Sequence, residues 1–110
     1  MFVKGANKVI FIDNDLEEAF NSLAEKSPLK KSLRNAVINL KENAFCGDRI
    51  PKKLIPKVYV QKYGVDNLWW YPLANDWRLV YSIMTPNNID ILAVIVEYFD
   101  NKDYERRFKY

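Results

Sequence analysis

The sequence contains no histidine, and this absence removes several classes of enzyme at once. Ser-His-Asp and Cys-His triads, His-ligated zinc sites and nucleases that use paired histidines all need an imidazole. Any acid–base chemistry must therefore use lysine, arginine, tyrosine or carboxylate side chains.

Cysteine and glycine are also scarce. The single cysteine, Cys46, can form neither an internal disulfide nor a thiolate metal site, and we expect it to be a small buried hydrophobic residue. The three glycines are isolated from one another, so the chain has no glycine-rich phosphate-binding loop. We expect neither a cofactor nor a bound metal.

Long hydrophobic segments are missing too. The longest unbroken apolar run, Ile91 to Val96, is far shorter than the roughly 20 residues that a membrane-spanning helix needs. The N-terminus lacks the apolar centre of a signal peptide, which predicts a cytoplasmic protein with no membrane partner. A length of 110 residues predicts one domain that spans residues 1–110.

Positive charge is concentrated in the middle of the chain. Residues 26–62 contain ten Lys or Arg and two acidic residues, a local net charge of +8, whereas the whole chain has a net charge of +3. Such a region indicates a polyanion or an acidic protein as partner. The alternative is that it forms only the solvated face of a basic helix.

Two helices are predicted after a short strand at Lys8 to Ile12. The first follows the cluster Asp13, Asn14 and Asp15, one of which caps it. The second begins at Ser27 and Pro28, as N-cap and first helical residue, and ends near Asn43. Its buried stripe is Leu29, Leu33, Ala36, Val37 and Leu40, and its solvated side is Lys30, Lys31, Arg34 and Lys41. Together the helices predict an antiparallel αα-hairpin over one face of a sheet.

Alternating residues predict an antiparallel meander from Asn67 to Asp100, with strands at 67–71, 77–84 and 89–98. In the second strand Trp77, Leu79, Tyr81 and Ile83 share one face, and Arg78, Val80, Ser82 and Met84 share the other. Arg78 is thus placed at the centre of the meander. Its guanidinium can bind phosphate oxygens with two hydrogen bonds. Alternatively, it forms a structural ion pair with Asp76 or Asp90.

A basic connector precedes the meander and a polar tail follows it. The connector carries Lys52, Lys53 and Lys57, with a short helix predicted between Pro56 and Gly64. Its apolar residues are either anchors to the core or stacking partners for bases, and they are Val58, Tyr59 and Tyr63. The tail, residues 101–110, is predicted to be helical.

The order strand, two helices, basic connector, meander and basic tail resembles the RelE/ParE superfamily of toxins. The most specific segments of the resemblance are Trp77-Arg78-Leu79-Val80-Tyr81, the strand from Ile89 to Val96, and Asp103-Tyr104-Glu105-Arg106-Arg107. It implies an α+β fold with a twisted antiparallel sheet and the αα-hairpin on one face. It also implies the toxin of a type II toxin–antitoxin system, in a complex with an acidic antitoxin.

RelE-type members of this superfamily are endoribonucleases that cut mRNA on the ribosome without a metal ion. The resemblance implies that Arg78, Tyr104 and Arg106 are catalytic. From their positive charge, the predicted RNA-binding residues are Lys52, Lys53, Lys57, Lys102 and Arg107. Tyr104 would act as a base if nearby cations lowered its pKa. The alternative is that it holds the tail against the sheet.

Two other functions are compatible with the same sequence. RelE enzymes carry lysines on the strand before the arginine, whereas this strand reads Leu68-Trp69-Trp70-Tyr71-Pro72. The missing lysines favour a ParE-like inhibitor that binds DNA gyrase and has no nuclease chemistry. A third possibility is an interaction domain that has kept only antitoxin binding.

Overall fold

The computed structural model describes residues 5–87 and 90–108, which form an α+β fold. In chain order the strands and α-helices are β1 (Lys8–Phe11), α1 (Asn14–Asn21), α2 (Pro28–Glu42), β2 (Asp48–Arg49), α3 (Lys57–Tyr63), β3 (Trp69–Pro72), β4 (Trp77–Met84), β5 (Leu92–Asp100) and α4 (Asn101–Phe108). Short 3-10 turns lie at Lys52–Leu54 and Ala74–Asp76. None of these helices is long and apolar enough to cross a membrane.

The five strands form one mixed sheet with the order β1-β5-β4-β3-β2. The predicted antiparallel meander is formed by β3, β4 and β5, and β2 extends it antiparallel to β3. The expectation of a wholly antiparallel sheet is wrong for β1, which pairs parallel with β5. A long connection lets a strand pair in either direction, and alternation along a strand does not encode that direction.

The αα-hairpin begins and ends as the sequence indicates. Asp13 caps α1 by accepting a hydrogen bond from Leu16 N at 2.9 Å, and Ser27 is the N-cap of α2, with Pro28 in the first turn. The C-cap of α2 is Asn43. The capping preferences of short polar side chains therefore fixed these boundaries.

Side chains alternate along β4 as predicted, and helices cover both faces of the sheet. The hairpin face is the face covered by α1 and α2, where Leu79 and Tyr81 pack against Leu33 and Leu40. The tail face is the opposite one, where Val80 lies in a second cluster with residues of α3 and α4. The prediction of helices over one face is therefore incomplete.

A β-bulge in β5 sets the surroundings of Arg78. Val80 of β4 pairs with Glu97, but the next residue, Tyr81, pairs with Ile95. The extra residue, Val96, lies in the tail-face cluster. Beyond the bulge Phe99 comes directly opposite Arg78.

Lys30 is a clear correction to the sequence-based assignment, which placed it on the solvated side of α2. Its side chain is buried, and Nζ donates to Asn21 O at 3.2 Å, Leu23 O at 3.0 Å and Glu25 Oε1 at 2.7 Å. The carbonyl groups at the end of a helix lack partners within the helix. Lys30 therefore holds the C-terminal end of α1 against α2.

The prediction that Cys46 is buried is wrong, and one of the three candidate anchors of the connector does not reach the core. Cys46 is exposed in the loop after α2, and Val58 of α3 is 54% exposed. With seven residues α3 offers only a narrow buried stripe, so Tyr59 is buried and Val58 is not. The predicted end of this helix is confirmed, because Gly64 is its C-cap with φ of 66°.

Candidate nucleic-acid interface

Arg78 lies on the tail face in contact with two aromatic rings. Its Cζ is 4.2 Å from the ring centroid of Trp70 on β3 and 4.3 Å from that of Tyr104 on α4. Trp70 faces Val80 in the β3–β4 ladder, so it lies diagonally across from Arg78 on the same face. Cation–π contacts of this kind are worth roughly 0.5–2 kcal/mol each.

The hydrogen-bond donors of Arg78 are not used inside the protein. Across residues 5–87 and 90–108, Arg78 forms neither an ion pair nor a hydrogen bond, so the predicted alternative of a structural pair with Asp76 or Asp90 is wrong. The carboxylate of Asp90 instead accepts a hydrogen bond from Asn87. When aromatic rings contact a guanidinium, its in-plane N–H groups remain available to donate hydrogen bonds to an oxyanion.

Tyr104 is fully buried beneath this arginine. Its ring centroid is 4.7 Å from that of Phe108, 5.9 Å from that of Phe99 and 6.2 Å from that of Trp70. The side chain is 0% exposed, so solvent and substrate do not reach it in this conformation. These contacts favour the interpretation that Tyr104 packs the tail against the sheet and supports Arg78.

A cleft of about 260 Å³ opens beside Arg78. The connection from β3 to β4 forms one wall and the start of α4 the other, with the lining residues Trp70, Pro72, Leu73, Asp76, Trp77, Arg78 and Asn101. Asp76 has φ of 63° and is exposed. The cleft therefore holds one exposed carboxylate beside one arginine.

Asn101 adds an unusual polar atom to this cleft. Its Nδ2 donates to Glu105 Oε1 at 3.4 Å, but in the described part of the chain its buried Oδ1 has no hydrogen-bond partner. Buried acceptors normally have a partner. The sequence carried no signal for this residue, which is the first residue of α4.

None of the predicted lysines, nor Arg106, lines the cleft beside Arg78. Lys52, Lys53 and Lys57 are exposed on the connector, and none of them lines the cleft. On α4, Lys102 is exposed, and Arg106 is 78% exposed with NH1 3.4 Å from Asp103 Oδ1. The side chain of Arg107 lies outside the described residues.

Lys52 instead lines a pocket on the hairpin face. This pocket, called the Trp69 pocket below, has a volume of about 310 Å³ and is lined by Phe45, Arg49, Lys52, Asp66, Asn67, Trp69, Ile83 and Thr85. Sequence reasoning missed Arg49, Trp69 and Trp70 as site residues. The sequence feature that could have identified the two tryptophans is the pair Trp69-Trp70, because consecutive residues of a strand place one indole on each face of the sheet.

Neither a metal nor a reactive thiol is indicated by the remaining polar groups. Within the described ranges, no three His, Cys, Asp or Glu residues come together so that they could hold a metal ion. Desolvation raises the pKa of Cys46, which disfavours the thiolate. Comparisons with family models, curated proteins and solved structures found no match.

Proposed function

We propose that this protein is the toxin of a type II toxin–antitoxin pair, and that it acts as a RelE-type, ribosome-dependent mRNA endoribonuclease. The single observation that carries the proposal is Arg78, whose guanidinium lies over the rings of Trp70 and Tyr104 and makes no ion pair within the described residues. The class of protein is proposed from the likeness of the Trp77–Tyr81 segment and of the element order to the RelE/ParE superfamily.

The proposed chemistry is attack by the 2′-hydroxyl of the RNA on the adjacent phosphate, which forms a bond from O2′ to phosphorus and breaks the bond from phosphorus to the 5′-oxygen of the next nucleotide. The products are a 2′,3′-cyclic phosphate and a 5′-hydroxyl, and water supplies the proton of that hydroxyl. The phosphate gains negative charge as it becomes five-coordinate, and an arginine with two in-plane donors stabilises that charge. Asp76 is the carboxylate in the same cleft and can accept the proton of the 2′-hydroxyl. In this scheme Tyr104 is a positioning residue that acts through Arg78.

Ribosome dependence fits the charge of the cleft. Arg78 is the only cation among the described residues that line it, and Lys52, Lys53, Lys57, Lys102 and Arg106 are not among them. A phosphate under attack is stabilised best by more than one cation. We propose that the ribosome completes the surroundings of the phosphate and holds the message in place.

The basic middle of the chain is proposed to bind the antitoxin. Lys31, Arg34 and Lys41 are exposed on the outer side of α2, and Lys53 and Lys57 are exposed on the connector. An acidic antitoxin segment is complementary to this surface, which gives a toxin–antitoxin hetero-oligomer.

A second candidate, a ParE-like inhibitor of DNA gyrase, is favoured by two observations. Tyr104 is fully buried and β3 carries no lysine, so the cleft has few groups for proton transfer. Under this alternative Arg78 and its rings would form a binding surface rather than a catalytic one.

The test is mRNA cleavage on programmed ribosomes, with cut positions mapped by primer extension. The wild-type protein should cut the message, and Arg78→Ala should reduce the rate by about 10²–10³-fold, the usual effect of removing a transition-state donor. Arg78→Met keeps an unbranched side chain beside the rings and should be as inactive as Arg78→Ala, which separates loss of charge from loss of packing. Arg34→Ala is the matched control, because it removes an exposed arginine of α2.

Two outcomes decide between the candidates. An intact message at saturating wild-type protein would overturn the endoribonuclease proposal. A parallel supercoiling assay with DNA gyrase then tests the alternative, which requires inhibition that Arg78→Met abolishes and Arg34→Ala leaves unchanged.

A further inference from the structure

The Trp69 pocket lies on the opposite face of the sheet from Arg78. Trp69 and Trp70 are consecutive residues of β3; Trp69 packs with the hairpin-face cluster and Trp70 with the tail-face cluster. The two sites are thus separated by the sheet itself. A change in the exposed residues of one need not disturb the other.

Aromatic rings form one wall of this pocket. Trp69 is partly buried, and the ring of Phe45 meets it edge to face with centroids 5.5 Å apart. The ring of Tyr81 stacks beside Trp69 at 6.4 Å, and the Arg49 guanidinium carbon lies 5.8 Å from the indole centroid. An indole fixed by neighbouring rings is a platform on which a flat ligand can stack.

Hydrogen bonds hold both sides of the pocket in place. On one side, the buried Tyr81 hydroxyl donates to Ala44 O at 3.0 Å and accepts from Gly47 N at 3.1 Å, which fixes the loop that carries Phe45. On the other side, Asn67 Nδ2 donates to Ile83 O at 2.9 Å and Asn67 Oδ1 accepts from Ile83 N at 2.9 Å. The pocket is therefore formed before any ligand arrives, which lowers the entropic cost of binding.

The charge of the pocket favours an anion. Arg49 and Lys52 are both exposed, and neither forms an ion pair with another described residue. The lining contains one carboxylate, Asp66, which accepts a hydrogen bond from Asn67 Nδ2 at 2.8 Å. Two cations face one carboxylate, so the pocket has a positive net charge.

We propose that the Trp69 pocket is a nucleotide-binding subsite for single-stranded RNA, in which a base stacks on Trp69 and its phosphate binds Arg49 and Lys52. Proteins that bind single strands combine aromatic platforms with cations that follow the backbone. A volume of about 310 Å³ lies at the lower end of the range for ligand pockets, about 300–1,000 Å³. The choice of RNA rather than a free nucleotide rests on the proposed function.

The experiment measures binding without cleavage and without ribosomes. The ligand is a ten-nucleotide 2′-O-methyl oligo(A), which cannot be cut by its own 2′-hydroxyl, and AMP serves as the free-nucleotide probe. The readout is the indole N–H signal of Trp69 in a ¹H–¹⁵N NMR spectrum, assigned from its loss in Trp69→Phe. The RNA should shift this signal in Arg78→Met as well as in the wild type.

Affinity measurements by fluorescence anisotropy give the second readout. Trp69→Leu should weaken RNA binding about tenfold, as expected for the loss of one stacked base. Arg49→Ala/Lys52→Ala should lower the slope of log affinity against log salt by about 0.7 for each phosphate that the variant no longer binds. The double variant Lys8→Ala/Lys26→Ala removes two exposed cations that do not line the Trp69 pocket and is the matched control.

The proposal is overturned if saturating RNA leaves the Trp69 signal in place, even where AMP shifts it, or if the two double variants bind RNA equally well. Its failure is distinguishable from failure of the proposed function, because none of these measurements involves cleavage. Conversely, if the protein binds RNA at Trp69 but leaves mRNA intact on ribosomes, the nucleotide-binding subsite is supported and the endoribonuclease proposal is overturned.

Discussion

Replacing Lys30 with methionine tests the most unexpected contact in the fold. In the structure Lys30 is 4% exposed and its ammonium binds the carbonyl oxygens of Asn21 and Leu23. Methionine preserves an unbranched, apolar stem but provides no donor. We expect Lys30→Met to destabilise the protein by loosening the end of α1.

The magnitude follows from two opposing effects. A hydrogen bond to a charged group contributes about 1.5–3 kcal/mol, and Lys30→Met removes two such bonds to backbone oxygens. Against this, methionine avoids the several kcal/mol that burying an ammonium costs. The carbonyl of exposed Asn21 can bind water instead, whereas Leu23 is partly buried. We therefore expect a net loss of about 1–3 kcal/mol.

The assay is thermal and urea-induced unfolding of the wild type, Lys30→Met and Lys31→Met. Lys31 is the next residue of α2 and is exposed, so its replacement should change the free energy of unfolding by no more than about 0.5 kcal/mol. For a chain of this size, 1 kcal/mol corresponds to a Tm shift of roughly 4 °C. Equal Tm values for the two variants would refute the net stabilisation that we assign to the hydrogen bonds of the Lys30 ammonium.

Local signals in the sequence predicted the helices and the central strands well. Asp13, Ser27, Pro28 and Gly64 act on the backbone within one turn of their own positions, so their effect does not depend on the rest of the fold. The alternation of β4 is equally local. These features follow from residues that are adjacent in the chain.

The remaining features depend on contacts between distant segments. Parallel pairing of β1 with β5, the bulge at Val96 and the burial of Lys30 each require knowledge of which surfaces meet. The strand β2 has two residues, too few for any periodicity. Tertiary contacts determine such features, so the pattern of residues along the chain predicts them poorly.

In the candidate site, too, the sequence predicted the local features and missed those that depend on contacts between distant segments. Arg78 could be identified from its place in β4, but its partners come from β3 and α4, about 8 and 26 positions away in the sequence. The same packing buries Tyr104, which the sequence left open as a base. Lys52 was assigned to RNA binding from charge alone, and the structure places it on the other face from Arg78, beside Trp69.

Two further predictions concern the supports of the fold. Tyr81→Phe removes the buried hydroxyl that binds Ala44 O and Gly47 N, so unfolding in urea should show a loss of about 1–3 kcal/mol; an unchanged midpoint would contradict these hydrogen bonds. The second concerns the dependence of stability on pH. Hydrogen bonds from Lys30 and, as the second cause, from Arg34 lower the pKa of Glu25 from 4.5 to about 2. A carboxyl group whose pKa is lowered by folding stabilises the native state above its unfolded pKa, and this contribution is lost as pH falls from about 4.5 to 2. The Tm difference between the wild type and Glu25→Gln should therefore be largest above pH 5 and shrink towards pH 2, whereas a difference that stays constant with pH would show that Glu25 makes no such contact.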